Sequence, residues 1–188
     1  MFHRLVQHSR SYRRFDGSAA IDTETLTGLI SLARLSPSAA NRQPLKYVLS
    51  NTPERNHSVF ETLSWAGYLK DGTPSAEERP TAYIIILLDH EISVSAGCDH
   101  GIAAQTILLG ANELGLGGCM FGAVRRDALR SALNIPERYE ILLVIALGRP
   151  VETVQIEEAV DGAIKYYRTA DRIHHVPKRP LSEVILDI

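Results

Sequence analysis

The run Ala82-Tyr83-Ile84-Ile85-Ile86-Leu87-Leu88 decides the fold. Side chains alternate across an extended chain, so this stretch puts apolar groups on both faces and needs helices covering it on two sides. It is far too short to span a bilayer.

Downstream comes the longest helical pattern, residues 95–114, with Ile102, Ala103, Ala104, Ile107, Leu108, Leu109, Ala111 and Leu114 nearly encircling it. Such a helix is buried over most of its circumference. Gly115 stands where a left-handed helix end needs a residue without a Cβ. A short strand at 119–121, a helix at 127–133 and a second doubly apolar strand at 141–147 follow. Upstream, Asp22 caps a helix whose Leu26, Leu29, Ile30 and Ala33 obey the i, i+3, i+4, i+7 rule. Leu45–Ser50 has strand character, and Pro53 suits the first turn of a helix carrying Val59, Leu63 and Trp65. Residues 70–80, with Gly72, Pro74 and Pro80 among charges, read as an exposed loop inside the domain. Beyond Gly148-Arg149-Pro150 about forty thinly apolar residues remain. They cannot build a core of their own, so they wrap over the domain or reach a partner subunit. The pattern predicts one domain over residues 1–188, of α+β class, with helices packed on a small mixed sheet.

Composition narrows the function. The 188 residues are 45% apolar and 22% charged, ordinary globular values. A formal charge of -2 provides no global field for nucleic acid or a membrane surface, so any anion must be held locally. Two cysteines, Cys98 and Cys119, give no disulfide framework and fit a reducing compartment, read here as the cytoplasm. No secretory leader is evident. Arg4, Arg10, Arg13 and Arg14 could suggest a transit peptide, but Phe2, Leu5 and Phe15 look placed for packing. The sequon Asn56-His57-Ser58 is read as coincidence. Cys98-Asp99-His100 and His174-His175 lack the spacing of a zinc site, so no metal is expected. The neighbours Glu77-Glu78 and Glu157-Glu158 read as solvated charge, and Cys119, in an apolar strand, as a thiol too poorly ionised for a nucleophile. No P-loop, dinucleotide glycine fingerprint or nucleophile elbow occurs.

Four polar segments remain. In Ser9-Arg10-Ser11-Tyr12-Arg13-Arg14-Phe15, Arg10 and Arg13 lie at i and i+3, either to hold one anionic ligand or as a solvated basic patch. Ser36-Pro37-Ser38-Ala39-Ala40-Asn41-Arg42-Gln43-Pro44 is a stiff loop, suited to the edge of a planar heterocycle or simply a connection from helix to strand. Gly115-Leu116-Gly117-Gly118 lets backbone approach a flat ligand, or is a helix end running into a bulged strand. Lys178-Arg179, held between Pro177 and Pro180, suits a phosphate.

These segments, in this order, resemble the nitroreductase family of flavin mononucleotide (FMN) enzymes. That family carries an R-x-S-x-R-like segment, a P-S-x-x-N-x-Q-P loop, an alanine-rich helix running into G-L-G, and a late K-R-P-L segment. The resemblance implies a mainly antiparallel sheet, a C-terminal segment extended onto a partner subunit, and a homodimer with FMN at the interface. It assigns Arg10, Ser11 and Arg13 to the phosphate, ribityl chain and pyrimidine edge. Pro37, Ser38, Ala39, Asn41 and Gln43 become the flavin cradle, contributed by the partner. Gly117 and Gly118 lie against the isoalloxazine, and Lys178 and Arg179 return to the phosphate. Two departures stand out: Leu45 replaces an aromatic residue often found after Gln-Pro, and the usual substrate-capping insertion is missing, with Trp65-Ala66-Gly67-Tyr68-Leu69 its candidate replacement.

The activity implied is hydride transfer from NAD(P)H through flavin N5 to a nitroaromatic, quinone or similar electron-poor small molecule. No side chain is assigned as catalytic, since the cofactor supplies the redox chemistry. Family members with other flavin reactions, flavin cleavage or dehalogenation, and a non-catalytic flavin-binding protein are the alternatives.

Overall fold

The computed structural model describes residues 2–69 and 71–187. In chain order it comprises α1 (Phe2–His8), α2 (Thr23–Ala33), β1 (Leu45–Ser50), α3 (Pro53–Phe60), β2 (Ala82–Asp89), α4 (Asp99–Glu113), β3 (Gly117–Phe121), α5 (Arg126–Leu133) and β4 (Tyr139–Gly148). β5 (Val154–Glu158), β6 (Tyr167–Arg168), β7 (His174–Lys178) and α6 (Leu181–Val184) complete it. The main sheet runs β1-β2-β4-β3 and is antiparallel throughout. β5 pairs in parallel with β7 in a second sheet of order β5-β7-β6.

Every residue of β2 is buried. Ala82, Ile84 and Ile86 face Leu26 and Leu29 of α2 and Ala104, Ile107 and Ala111 of α4. Tyr83, Ile85 and Leu87 face Val59 and Phe60 of α3 and Leu129 of α5. Helices therefore cover both faces of an antiparallel sheet, an arrangement more usual for parallel ones. Each large apolar side chain so buried contributes about 1.5–3 kcal/mol.

Local signals behave as the chemistry dictates. Asp22 accepts a hydrogen bond from the Thr25 amide at 2.7 Å, capping α2, and Gly115 takes φ +72°. α4 starts at Asp99, not at residue 95, because Ser93 and Ser95 bond the preceding backbone into a turn that passes through Gly97 at φ +50°. α3 stops at Phe60, short of Leu63 and Trp65. The Trp65 ring instead packs on Phe60 at 5.2 Å and on Phe121 at 4.7 Å, against the core of its own chain. The loop at 70–80 contains the short helical turn Ala76–Glu78; its first residue, Lys70, lies outside the described residues.

The thin segment after β4 folds back over its own chain. His174 is buried, and its amide donates to the Thr153 carbonyl at 2.9 Å. Arg168 bonds Asp71 at 2.6 Å and Glu152 at 3.0 Å, and Arg172 pairs with Glu78. Glu78 also holds the buried Arg14 guanidinium. The reading of Glu77-Glu78 and Glu157-Glu158 as solvated charge is corrected for Glu78, which joins an ion-pair network, and for Glu157, which lies 3.0 Å from His175 Nδ1. Phe15 is fully buried, whereas Phe2 is 69% exposed and lines a groove with Leu5, Leu32 and Leu35. Leu181, Ile185 and Leu186, at the C-terminal end, are also exposed.

Candidate functional site

After α1 the chain runs beside β3. Ser11 bridges Gly118, the Tyr12 amide donates to the Gly118 carbonyl at 3.0 Å, and the Val151 amide donates to the Arg14 carbonyl at 3.1 Å. This extra edge strand brings Ser9, Arg10, Ser11 and Arg13 to a cleft of about 320 Å³, which Lys178 enters from β7. Gln105 and Leu108 of α4, Met120 of β3, Tyr166, His174 and Val176 complete its walls.

Among the described residues none of its three cations has a carboxylate within 4.0 Å. The Arg10 guanidinium donates to the Val6 carbonyl at 2.7 Å, and its Nε is buried without a partner. Arg13 anchors its backbone amide on Glu152 and lays its guanidinium over the Tyr166 ring, 5.1 Å from the centroid. Glu152, the nearest acid, is itself buried and held by Arg168. His174 is 1% exposed, and neither ring nitrogen has a hydrogen-bond partner among the described residues. Burial pushes its pKa below the ordinary histidine value against the opposing pull of Glu152, and the cations Arg13 and Arg168 act in the same direction as burial. The wall thus offers net positive charge and a neutral imidazole, an arrangement that fits an anion.

The second group of predicted residues lies elsewhere. Pro37, Ser38 and Gln43 line a separate cleft of about 170 Å³ with Leu45, Tyr47 and Asp99. Asp99, buried at the start of α4, holds this loop: it accepts from the Ser38 hydroxyl at 2.6 Å and the Ala39 amide at 3.1 Å, and Ser38 Oγ accepts from the Gln43 amide at 2.9 Å. The grip sustains left-handed backbone at Ala40, Asn41 and Gln43, with φ of +51° to +52°, a conformation costly for residues with a Cβ. Ala39 and Asn41 are exposed on the rim. The two clefts share α4 but no lining residue. One chain therefore does not bring the loop to the cations.

Three further placements refine the sequence reading. Gly117 and Gly118 are buried, and protein fills the space beside them: a Cβ would meet the Tyr12 ring at 2.5 Å at Gly117 and the Ala146 carbonyl oxygen at 2.5 Å at Gly118. Their smallness serves packing in this chain, and it is Met120 that reaches the cleft. Arg179 pairs with Glu183 at 2.7 Å and is absent from the cleft wall, unlike Lys178. Tyr68 packs at a tilt on Tyr166, ring centroids 5.0 Å apart, and so reaches the cleft rim, as Trp65 does not. Burial pushes the Cys119 thiol pKa up, consistent with its reading as a structural residue. Sequence reasoning missed Asp99, His174 as a wall of the cleft, and Tyr166. Only the buried position of Asp99 at a helix start carried any signal, and that requires the fold to be known.

Among the described residues no group of three or more His, Cys, Asp or Glu could hold a metal ion, and no helix is long and apolar enough to cross a membrane. The chain is 28% identical over 179 residues to a protein of Archaeoglobus fulgidus provisionally assigned as an NADH dehydrogenase/NAD(P)H nitroreductase, covering 91% of this chain and 95% of the relative. It is 33% identical over 165 residues to an NADPH-flavin oxidoreductase of Vibrio harveyi, covering 79% and 65%. Its fold matches an FMN-dependent nitroreductase of Clostridium difficile with a TM-score of 0.66, at 21% identity and over 85% and 91% of the two chains. The profile of the Nitroreductase family matches residues 6–149, from the arginine segment through the whole main sheet, and the chain belongs to that family.

Proposed function

We propose that the protein is an FMN-dependent oxidoreductase that works as a homodimer and passes reducing equivalents from NAD(P)H to an electron-poor small molecule. The observation that carries this reading is the meeting of Arg10, Arg13 and Lys178, from both ends of the chain, in one cleft with no acidic side chain among its described lining residues. The unpartnered Arg10 Nε is the kind of buried donor a phosphate oxygen would satisfy. When bound, the flavin would supply hydride acceptance and donation at N5.

The remaining roles belong to the chain. Arg10 and Lys178 would hold the phosphate, and the Ser9 and Ser11 hydroxyls the ribityl chain. Arg13, fixed over Tyr166, would face the pyrimidine edge, where its charge favours the reduced, anionic state. The loop carrying Pro37, Ser38 and Gln43, pre-set by Asp99, would complete the cradle from the second copy. Tyr68 and Tyr166 would shield the opening from water.

Replacing Arg10 with Ala should weaken flavin retention at least about tenfold, which corresponds to about 1.4 kcal/mol. Flavin content after extended dialysis reads the effect, and unchanged retention would reject the assignment.

A further inference from the structure

A further cavity, of about 250 Å³, lies between the start of α3 and the turn before β2. None of its residues lines either cleft described above, and no acidic side chain is among them. Arg79 lies over the Phe60 ring, 3.9 Å from its centroid, so the plane of its guanidinium is set by stacking. Among the described residues Arg79 has no carboxylate within 4.0 Å, and its Nε is buried without a partner. Glu77, the neighbouring acid, is exposed and hydrogen-bonded within its own turn.

Beside Arg79, Tyr83 is fully buried, and its hydroxyl also lacks a partner. Burial pushes the phenol pKa well above its ordinary value, against a smaller opposing pull from Arg79, so this group is a donor at neutral pH. The amides on the wall are already engaged. Asn51 donates to the Ile21 carbonyl and Thr23, while Asn56 donates to the Thr81 carbonyl and accepts from Ser50. Pro53, Phe60, Pro80, Ala20 and Ala76 give the wall its apolar part, while the Thr81 hydroxyl is spent on the Ala19 carbonyl and His57 lies at the wall with Glu61 4.0 Å from its Nδ1.

We propose that this cavity binds a small monocarboxylic acid with an apolar body, its carboxylate held between the Arg79 guanidinium and the Tyr83 hydroxyl, its hydrocarbon part against Phe60 and the two prolines. One fixed cation and one neutral donor match a single negative charge; a phosphate dianion would bring a second charge, and the remaining wall group that could meet it, His57, already faces Glu61. The inference does not depend on the flavin reading.

Benzoate is a suitable probe, titrated calorimetrically into the purified full-length protein while the His57 ring resonances at the cavity wall are followed by NMR. Benzoate should bind and shift those resonances, and neutral benzamide should bind at least about tenfold more weakly. Arg79→Gln should lose benzoate affinity by about tenfold or more, and Tyr83→Phe, which removes a single oxygen, by several-fold. Absence of benzoate binding, equal affinity for benzamide, or unchanged affinity in a folded Arg79→Gln protein would overturn the proposal. So would inorganic phosphate shifting the His57 resonances at concentrations as low as benzoate does.

Discussion

Gly118 illustrates how one residue serves the whole site. Its carbonyl receives the Tyr12 amide, which fixes the strand that carries Arg10 and Arg13, and its missing side chain admits Leu108 and the Ala146 carbonyl. Gly118→Ala would force a Cβ against backbone that cannot yield, costing about 1–3 kcal/mol. Thermal unfolding should show a clearly lowered Tm, and an unchanged Tm would contradict this packing account. Asp99 does the corresponding work for the other cleft. Asp99→Ala removes both acceptors that hold Ser38 and Ala39, so the loop should exchange its amide hydrogens faster, by hydrogen-exchange mass spectrometry, while the rest of the sheet stays protected. At this scale the Asp22 cap was legible because cap and capped amide are neighbours in sequence. The grip of Asp99 was not, because its partners lie some sixty residues away.

Among elements, β2 and α4 could be read from their apolar pattern alone, since burial on all sides leaves no polar face. α3 was read too long: Leu63 and Trp65 continue an apolar pattern, but they meet the core from a bridge to Val124 and through ring contacts, which helical periodicity does not separate from a further turn. The ion pairs that fasten the second sheet were illegible, because a carboxylate's sequence neighbours do not reveal which guanidinium faces it. Those pairs are unequal in weight. Arg168→Met would leave Glu152, 2% exposed, without its cation, at a cost of about 3–5 kcal/mol; denaturant unfolding would measure it.

The same elements set the acid sensitivity. Burial raises the carboxyl pKa of Glu78 and Asp71, but hydrogen bonds from arginines outweigh it: Arg172 and Arg14 for Glu78, Arg168 and then Arg14 for Asp71, leaving both below their ordinary values. Groups depressed in this way stabilise the fold above their unfolded pKa and lose that contribution as pH falls through the folded one. His174, also depressed, acts in the same sense. Tm should therefore decline gently below about pH 6.5 and steeply below about pH 4. A Tm that stayed level down to pH 3 would contradict this.

At the scale of the molecule, the class and the helices on both sides of the sheet followed from the pattern, whereas the convergence of Arg10 with Lys178 came only from resemblance to a family, since no periodicity links the two chain ends. On the proposed reading, the division of the predicted flavin residues between two clefts would make a single chain half a site. Exposed Phe2, Leu32, Leu35, Leu181 and Ile185 provide apolar surface that a second copy would cover. Sedimentation of the purified protein, followed by visible flavin absorbance and with an anaerobic NAD(P)H addition, tests this most directly. The account predicts that the absorbance travels at the mass of two 20.8 kDa chains and bleaches on reduction; a colourless monomer that takes up no added FMN would contradict it.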